Sequence, residues 1–99
     1  MKFKVHSIRF NADSKLVDFI HEKTEKLWLV YDRIIGGEVF LRINKSRKTT
    51  NKITEIKLRI PGKELFAKKQ CKTFEEAIDT AIEALQRQLI KHKEKIRKK

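Results

Sequence analysis

Apolar and polar positions alternate from the start of the chain. Phe3 and Val5 fall on one side of an extended segment, with Lys2, Lys4 and His6 on the other, so residues 2–10 begin as a strand. The phase changes near Ser7, and Phe10 marks the turn into the core. Asp13 then suits the N-cap of a helix. Leu16, Phe19, Ile20, Leu27, Val30 and Tyr31 recur at helical spacing, with one gap at Lys23 and Thr24. That pattern predicts an amphipathic helix of about four to five turns, ended by Ile34–Ile35–Gly36–Gly37.

Alternation returns in residues 38–43, where Val39, Leu41 and Ile43 share a face. A polar, basic connection, NKSRKTTNK (44–52), leads to residues 53–60, with Ile56, Leu58 and Ile60 inward and Lys57 and Arg59 outward. Pro61–Gly62 reads as a turn, and KELFAKKQC as a fourth strand with Leu65 and Ala67 on one face. Thr73–Phe74–Glu75–Glu76 has the form of a capping box: the Thr hydroxyl can accept the Glu76 N–H, and the Glu carboxylate can reach back. Beyond it, Phe74, Ile78, Ala81, Ile82, Leu85, Leu89, His92 and Ile96 form an apolar stripe. Its periodicity predicts a helix that is docked at least as far as Ile96.

The order β-α-β-β-β-α predicts an α+β fold. Two helices on one face of a four-stranded mixed sheet bury both stripes together. Strands 1 and 2 are parallel if they pair directly, through a right-handed crossover. The other strands form an antiparallel meander.

Charge adds a second layer. The chain has 99 residues, a formal net charge of +12 and 38% charged residues. That length fits one domain, residues 1–99, with one core. The excess of cations points to a polyanionic partner, with nucleic acid ahead of an anionic membrane. On a helical wheel, Arg87, Lys91, Lys95 and Lys98 fall opposite the apolar stripe, within roughly a quarter turn; Lys93 and Arg97 flank them. Residues 74–83 carry Glu75, Glu76, Asp79 and Glu83 and no base, whereas the last sixteen residues carry seven bases and one acid. The helix dipole accounts for part of this sorting, but it fades within about one turn. The remainder reads as a ridge for phosphates. In the first helix Lys23 interrupts the apolar arc, either snorkelling or offering a cation to the groove beside the last helix, with Lys26 a turn further on. The basic loop 44–52, with Lys45, Arg47, Lys48 and Lys52, is either a solvated hairpin or a second contact zone.

Enzymatic chemistry has little to stand on. Glu75 and Asp79 are helical neighbours, but their place in the first turns of a capped helix gives a structural reason for them. His6, His21 and His92 lack metal-ligand spacing. His92 lies on the apolar stripe as a half-buried packing residue. Cys71, the one cysteine, has no base near it in sequence and excludes an intramolecular disulfide. No phosphate-binding glycine loop or nucleophile elbow occurs, and no cofactor is expected. Trp28 and Tyr31 read as packing residues. The sheet lacks the aromatic pair that an RNA-recognition motif uses on its open face. No apolar run approaches the length of a membrane span, no signal-peptide core is evident, and a cytoplasmic protein is expected.

Three segments carry a resemblance: FIHEKTEKLWLVYDRI (19–34), FEEAID (74–79) and, most specifically, RQLIKHKEKIRKK (87–99). The whole chain resembles the short ribosome hibernation-promoting factors, also called ribosome-associated inhibitors or the sigma-fifty-four modulation protein family. The resemblance implies the same β-α-β-β-β-α fold, similar to a double-stranded RNA-binding domain. It implies a non-enzymatic protein that binds the small ribosomal subunit between head and body, over the paths of mRNA and tRNA. Whole ribosomes, including hibernating ribosome dimers, would be partners, with no membrane involved and a monomer when free. By position, Lys23 and Lys26 match the basic pair of helix one, and Arg87, Lys91, Lys93 and Lys95 match the ladder of helix two. Arg97 and Lys98 extend it. One departure is Ala84, where the family often has lysine. The residues alone leave a general double-stranded RNA-binding module as the alternative, and a small hydrolase or transferase as a third, poorly supported one.

Overall fold

In a computed structural model, residues 3–97 are described, up to the backbone of Arg97. Lys2 and Lys98, assigned above to a strand face and to the basic ladder, lie outside the described residues. The elements are β1 (Phe3–Ser7), α1 (Ser14–Val30), β2 (Gly36–Ile43), β3 (Lys52–Ile60), β4 (Lys63–Cys71) and α2 (Phe74–Arg97). The sheet order is β1-β2-β3-β4. β1 pairs parallel with β2, and the other two pairings are antiparallel. The fold is the mixed α+β arrangement expected from the pattern.

One face of the sheet carries the core. Phe3, Val39, Leu41, Ile56, Leu58, Ile60, Leu65 and Ala67 are buried there against Leu16, Ile20 and Leu27 of α1 and Ile78, Leu85 and Leu89 of α2. Each fully buried aliphatic side chain contributes about 1.5–3 kcal/mol. Gly37 is required by this packing. A Cβ there would lie 2.4 Å from the Lys57 carbonyl oxygen and 2.4 Å from the Phe3 ring. Phe10 stacks on Phe74 with ring centroids 5.2 Å apart, which closes the core where the chain leaves β1 for α1.

The Asp13 cap forms as expected: its Oδ1 accepts the Leu16 N–H at 2.8 Å. Half of the capping box forms. The Thr73 hydroxyl oxygen accepts the Glu76 N–H at 3.1 Å, while the reciprocal Glu76 bond is not among those of the described residues. The gap in the first apolar stripe is filled by Thr24, which is buried and donates its hydroxyl proton to the Ile20 carbonyl at 2.8 Å. This back-bond lets a polar residue occupy a core position.

One expectation changes. Helix α2 does run to Arg97, but its docking fades after His92, and Ile96 is 50% exposed. The sheet has too few residues beneath the last turn to cover it. The open face of the sheet does hold two phenylalanines, Phe40 and Phe66. They are not a neighbouring pair, however, because β3 separates their strands. Phe40 is covered by the His6 ring, stacked at 4.8 Å, and by the Lys57 ammonium, 5.6 Å from its centroid. The rest of this face is laced by charge: Arg42 and Lys68 both approach Glu55, at 2.6 and 3.8 Å.

Candidate nucleic-acid interface

The two helices run in the same direction. Lys23 of α1 meets Asp79 early in α2, whereas Tyr31 meets His92 and Lys93 reaches Val30 near both ends. The C-terminal ends of both helices therefore converge at one end of the molecule. Their last carbonyls have no intrahelical partner and carry the negative end of each dipole. Lys93 reaches one of them, the Val30 carbonyl.

Arg87, Lys91 and Lys95 stand exposed on α2, each one turn from the next. Among the described residues, no carboxylate forms an ion pair with any of them. A fourth cation joins this row from the sheet. Lys63, at the start of β4, lines a cleft of about 210 Å³ with Leu65, Gln88, Lys91, His92 and Lys95. Gln88 helps seat the helix there by donating to the Phe66 carbonyl at 3.1 Å. Sequence reasoning missed Lys63. Its only local signal was a cation just after Pro61–Gly62, and its neighbours are set by how β4 packs under α2.

Lys23 and Lys26 occupy the other flank of α2. They line a groove of about 340 Å³ between the helices, with Asp79, Ile82, Glu83 and Gln86. Lys26 is exposed. Lys23 is not free: its Nζ lies 3.4 Å from Asp79 Oδ1, and 5.3 Å from the centre of the Phe19 ring. Both the snorkelling and the groove readings of Lys23 hold, since the stem packs and the ammonium reaches the groove.

Lys93 has a partner inside the protein. It is half-buried, and its Nζ donates to the Val30 carbonyl at 2.9 Å. Beside it, the His92 ring packs edge-on against Tyr31 with centroids 5.5 Å apart. The structure thus joins Arg87, Lys91 and Lys95 into one exposed ridge, adds Lys63, and sets Lys26 on its flank. It turns Lys23 and Lys93 toward internal partners. The backbone of Arg97 ends α2; its side chain and Lys98 lie outside the described residues.

The basic loop is an ordered turn. Asn44 N–H donates to the Asn51 carbonyl at 2.8 Å, and Asn44 Oδ1 accepts the Ser46 N–H at 3.0 Å. Lys45, Arg47 and Lys48 are exposed around it, while Lys52 donates to Asn51 Oδ1 at 2.6 Å.

Fold and ridge together define a small basic α+β domain with a row of exposed cations along its last helix. The sequence profile of the family described as Sigma 54 modulation protein / S30EA ribosomal protein matches residues 3–97. The ribosome hibernation promoting factor of Azotobacter vinelandii is 33% identical over 95 residues, spanning 96% of this chain and 85% of that protein. The protein of the same name from Escherichia coli strain K12 is 34% identical over 97 residues, 98% of each chain. The chain belongs to the Sigma 54 modulation protein / S30EA ribosomal protein family, a non-enzymatic one.

Solved structures share the fold. A ribosomal subunit interface protein from Coxiella burnetii superposes with a TM-score of 0.84 at 20% identity, covering 94% of this chain and 98% of that one. The Protein Y N-terminal domain of Thermus thermophilus gives 0.80 at 19% identity, covering 93% and 99%. Among the described residues, no helix is long and apolar enough to cross a membrane.

Proposed function

We propose that this chain is a ribosome hibernation factor, working in the cytoplasm as a single ribosome-binding domain over residues 1–99. Family membership supports the ribosome as partner. The finer reading is that it binds the small subunit in the mRNA and tRNA channel and silences translation in idle ribosomes. The observation that carries this reading is the ridge of Arg87, Lys91 and Lys95, exposed and without acidic partners among the described residues. Such cations meet phosphates at little desolvation cost, and each contact releases condensed counterions. Lys23, Lys26, Lys93, Arg97 and Lys98 complete the proposed rRNA-binding set. Lys23 and Lys93 would contact RNA with the donors that their internal bonds leave over, since an ammonium has three. The protein is a monomer when free, and ribosome dimers are among its partners in this reading.

Sedimentation through sucrose at two salt concentrations tests it. The protein should travel with small subunits and with whole ribosomes, but not with large subunits alone. Lys91→Glu combined with Lys95→Glu should abolish this while the fold is kept. Failure of the unaltered protein to bind any of them at low salt would overturn the proposal. Free duplex RNA competing as well as ribosomes would favour a general double-stranded RNA-binding module instead.

A further inference from the structure

A second cationic site lies at the opposite end of the molecule. Where β1 leaves for α1 and β2 turns toward β3, Ile8, Arg9, Phe10, Arg42, Ile43 and Lys45 line a cleft of about 370 Å³. It is distant from the ridge. Phe10 packs on Phe74 at the start of α2, and Phe74 and Lys91 are about 25 Å apart along the helix at 1.5 Å per residue.

The lining has two chemistries. Ile8 and Ile43 are 39% and 38% exposed, an apolar surface that the core leaves uncovered. Phe10 forms its back wall, held by its stack on Phe74. Around this surface stand three cations. Arg42 is neutralised by Glu55, but among the described residues no carboxylate pairs with Arg9 or Lys45. Arg9 also sits at φ 65, in the left-handed region that favours glycine. A long cationic side chain is therefore held at a backbone position where glycine would fit with less strain. A cleft of this size falls in the range of small-ligand sites, roughly 300–1,000 Å³.

We infer that this cleft binds one nucleotide unit, its base against Ile8 and Ile43 and its phosphate between Arg9 and Lys45. A flat apolar ring bearing an anion matches both halves of the lining at once. Every nucleobase offers such a face; proteins that hold single strands stack it on aromatic rings or guanidinium planes beside a cationic track for the phosphates, and here the two isoleucines, backed by Phe10 and flanked by Arg9 and Arg42, supply the surface. The unit could be a free nucleotide or an unstacked residue of an RNA strand. The site is independent of the α2 ridge.

Isoleucine δ1-methyl NMR of the full chain tests this. Ile8 and Ile43 report on the cleft, and Ile90 and Ile96 on the ridge end of α2. Adenosine monophosphate, hexaadenylate, inorganic phosphate and an aspartate-rich peptide are titrated separately. We expect saturable shifts at Ile8 and Ile43 with either adenine ligand, and binding of phosphate about tenfold weaker. Tighter binding of hexaadenylate than of the mononucleotide at these methyls identifies an RNA strand as the source; equal binding identifies a free nucleotide. Arg9→Gly removes the cation at a glycine-favouring position, so the melting temperature holds or rises while affinity falls about tenfold. Lys45→Ala should weaken binding similarly. Shifts confined to Ile90 and Ile96 would overturn the cleft and leave the ridge standing. Phosphate or the peptide binding as tightly as the nucleotide, or no shift at Ile8 and Ile43 with any ligand, would also overturn it.

Discussion

The ammonium of Lys93 donates to the main-chain carbonyl of Val30, 2.9 Å away, and so ties the charged end of α2 to the last residue of α1. The bond satisfies a carbonyl that has no partner within its own helix and places a cation at the negative end of the dipole. Lys93→Met keeps the stem and removes both effects. It should lower stability by about 1 kcal/mol, read as a shift in urea midpoint. Ribosome binding by the folded fraction should fall far less than in Lys91→Glu with Lys95→Glu. An unchanged midpoint would show that Lys93 serves the ligand alone.

Lys23 and Asp79 set a brake in the groove between the helices. Their atoms lie 3.4 Å apart, and Asp79 is about half exposed, so the pair contributes little to stability, about 0–1 kcal/mol. Asp79→Asn frees the ammonium and removes a negative charge beside Lys26. Affinity for small subunits at low salt should rise about two- to fivefold, the size of one modest screened interaction. The melting temperature should hardly move. Equal or weaker binding would mean that Lys23 does not face the RNA.

Lys63 was invisible as a site residue because strand periodicity says which side chains share a sheet face, not which helix residues lie over the strand's end. Lys63→Ala, Lys91→Ala and Lys95→Ala should each reduce the salt slope of binding by about one. A normal slope for Lys63→Ala, with reduced slopes for the other two, would place Lys63 outside the interface.

Residues that obey a local period were legible. The alternation of Val39 and Leu41, the stripe from Ile78 to Leu89 and the Asp13 cap all follow from spacing and short-range hydrogen bonding, and each stands as read. Thr24 was not legible as core, because its burial rests on a back-bond to Ile20 that a hydropathy pattern treats as a gap. Ile96 misled in the opposite sense. It keeps the helical period, but tertiary cover has run out where it sits, and periodicity carries no information about the length of the sheet beneath. The ridge of Arg87, Lys91 and Lys95 was legible because it lies on one helix. The pairing of Lys93 with Val30, 63 residues apart, depends on how two helices meet.

Thr54 offers the last test, one that separates stability from binding. Its side chain is fully buried on the core face of β3, and its hydroxyl oxygen has no hydrogen-bond partner. A buried hydroxyl without a partner costs about 1–3 kcal/mol relative to an apolar group of the same shape. Thr54→Val is nearly isosteric and keeps the β-branch that a strand favours. It should raise stability by about 1 kcal/mol, seen as a higher urea midpoint with unchanged slope. Because the Thr54 side chain points into the core and away from the ridge, affinity for ribosomes should not change. A loss of stability instead would mean that the hydroxyl is satisfied in solution by a water held between β3 and the helices.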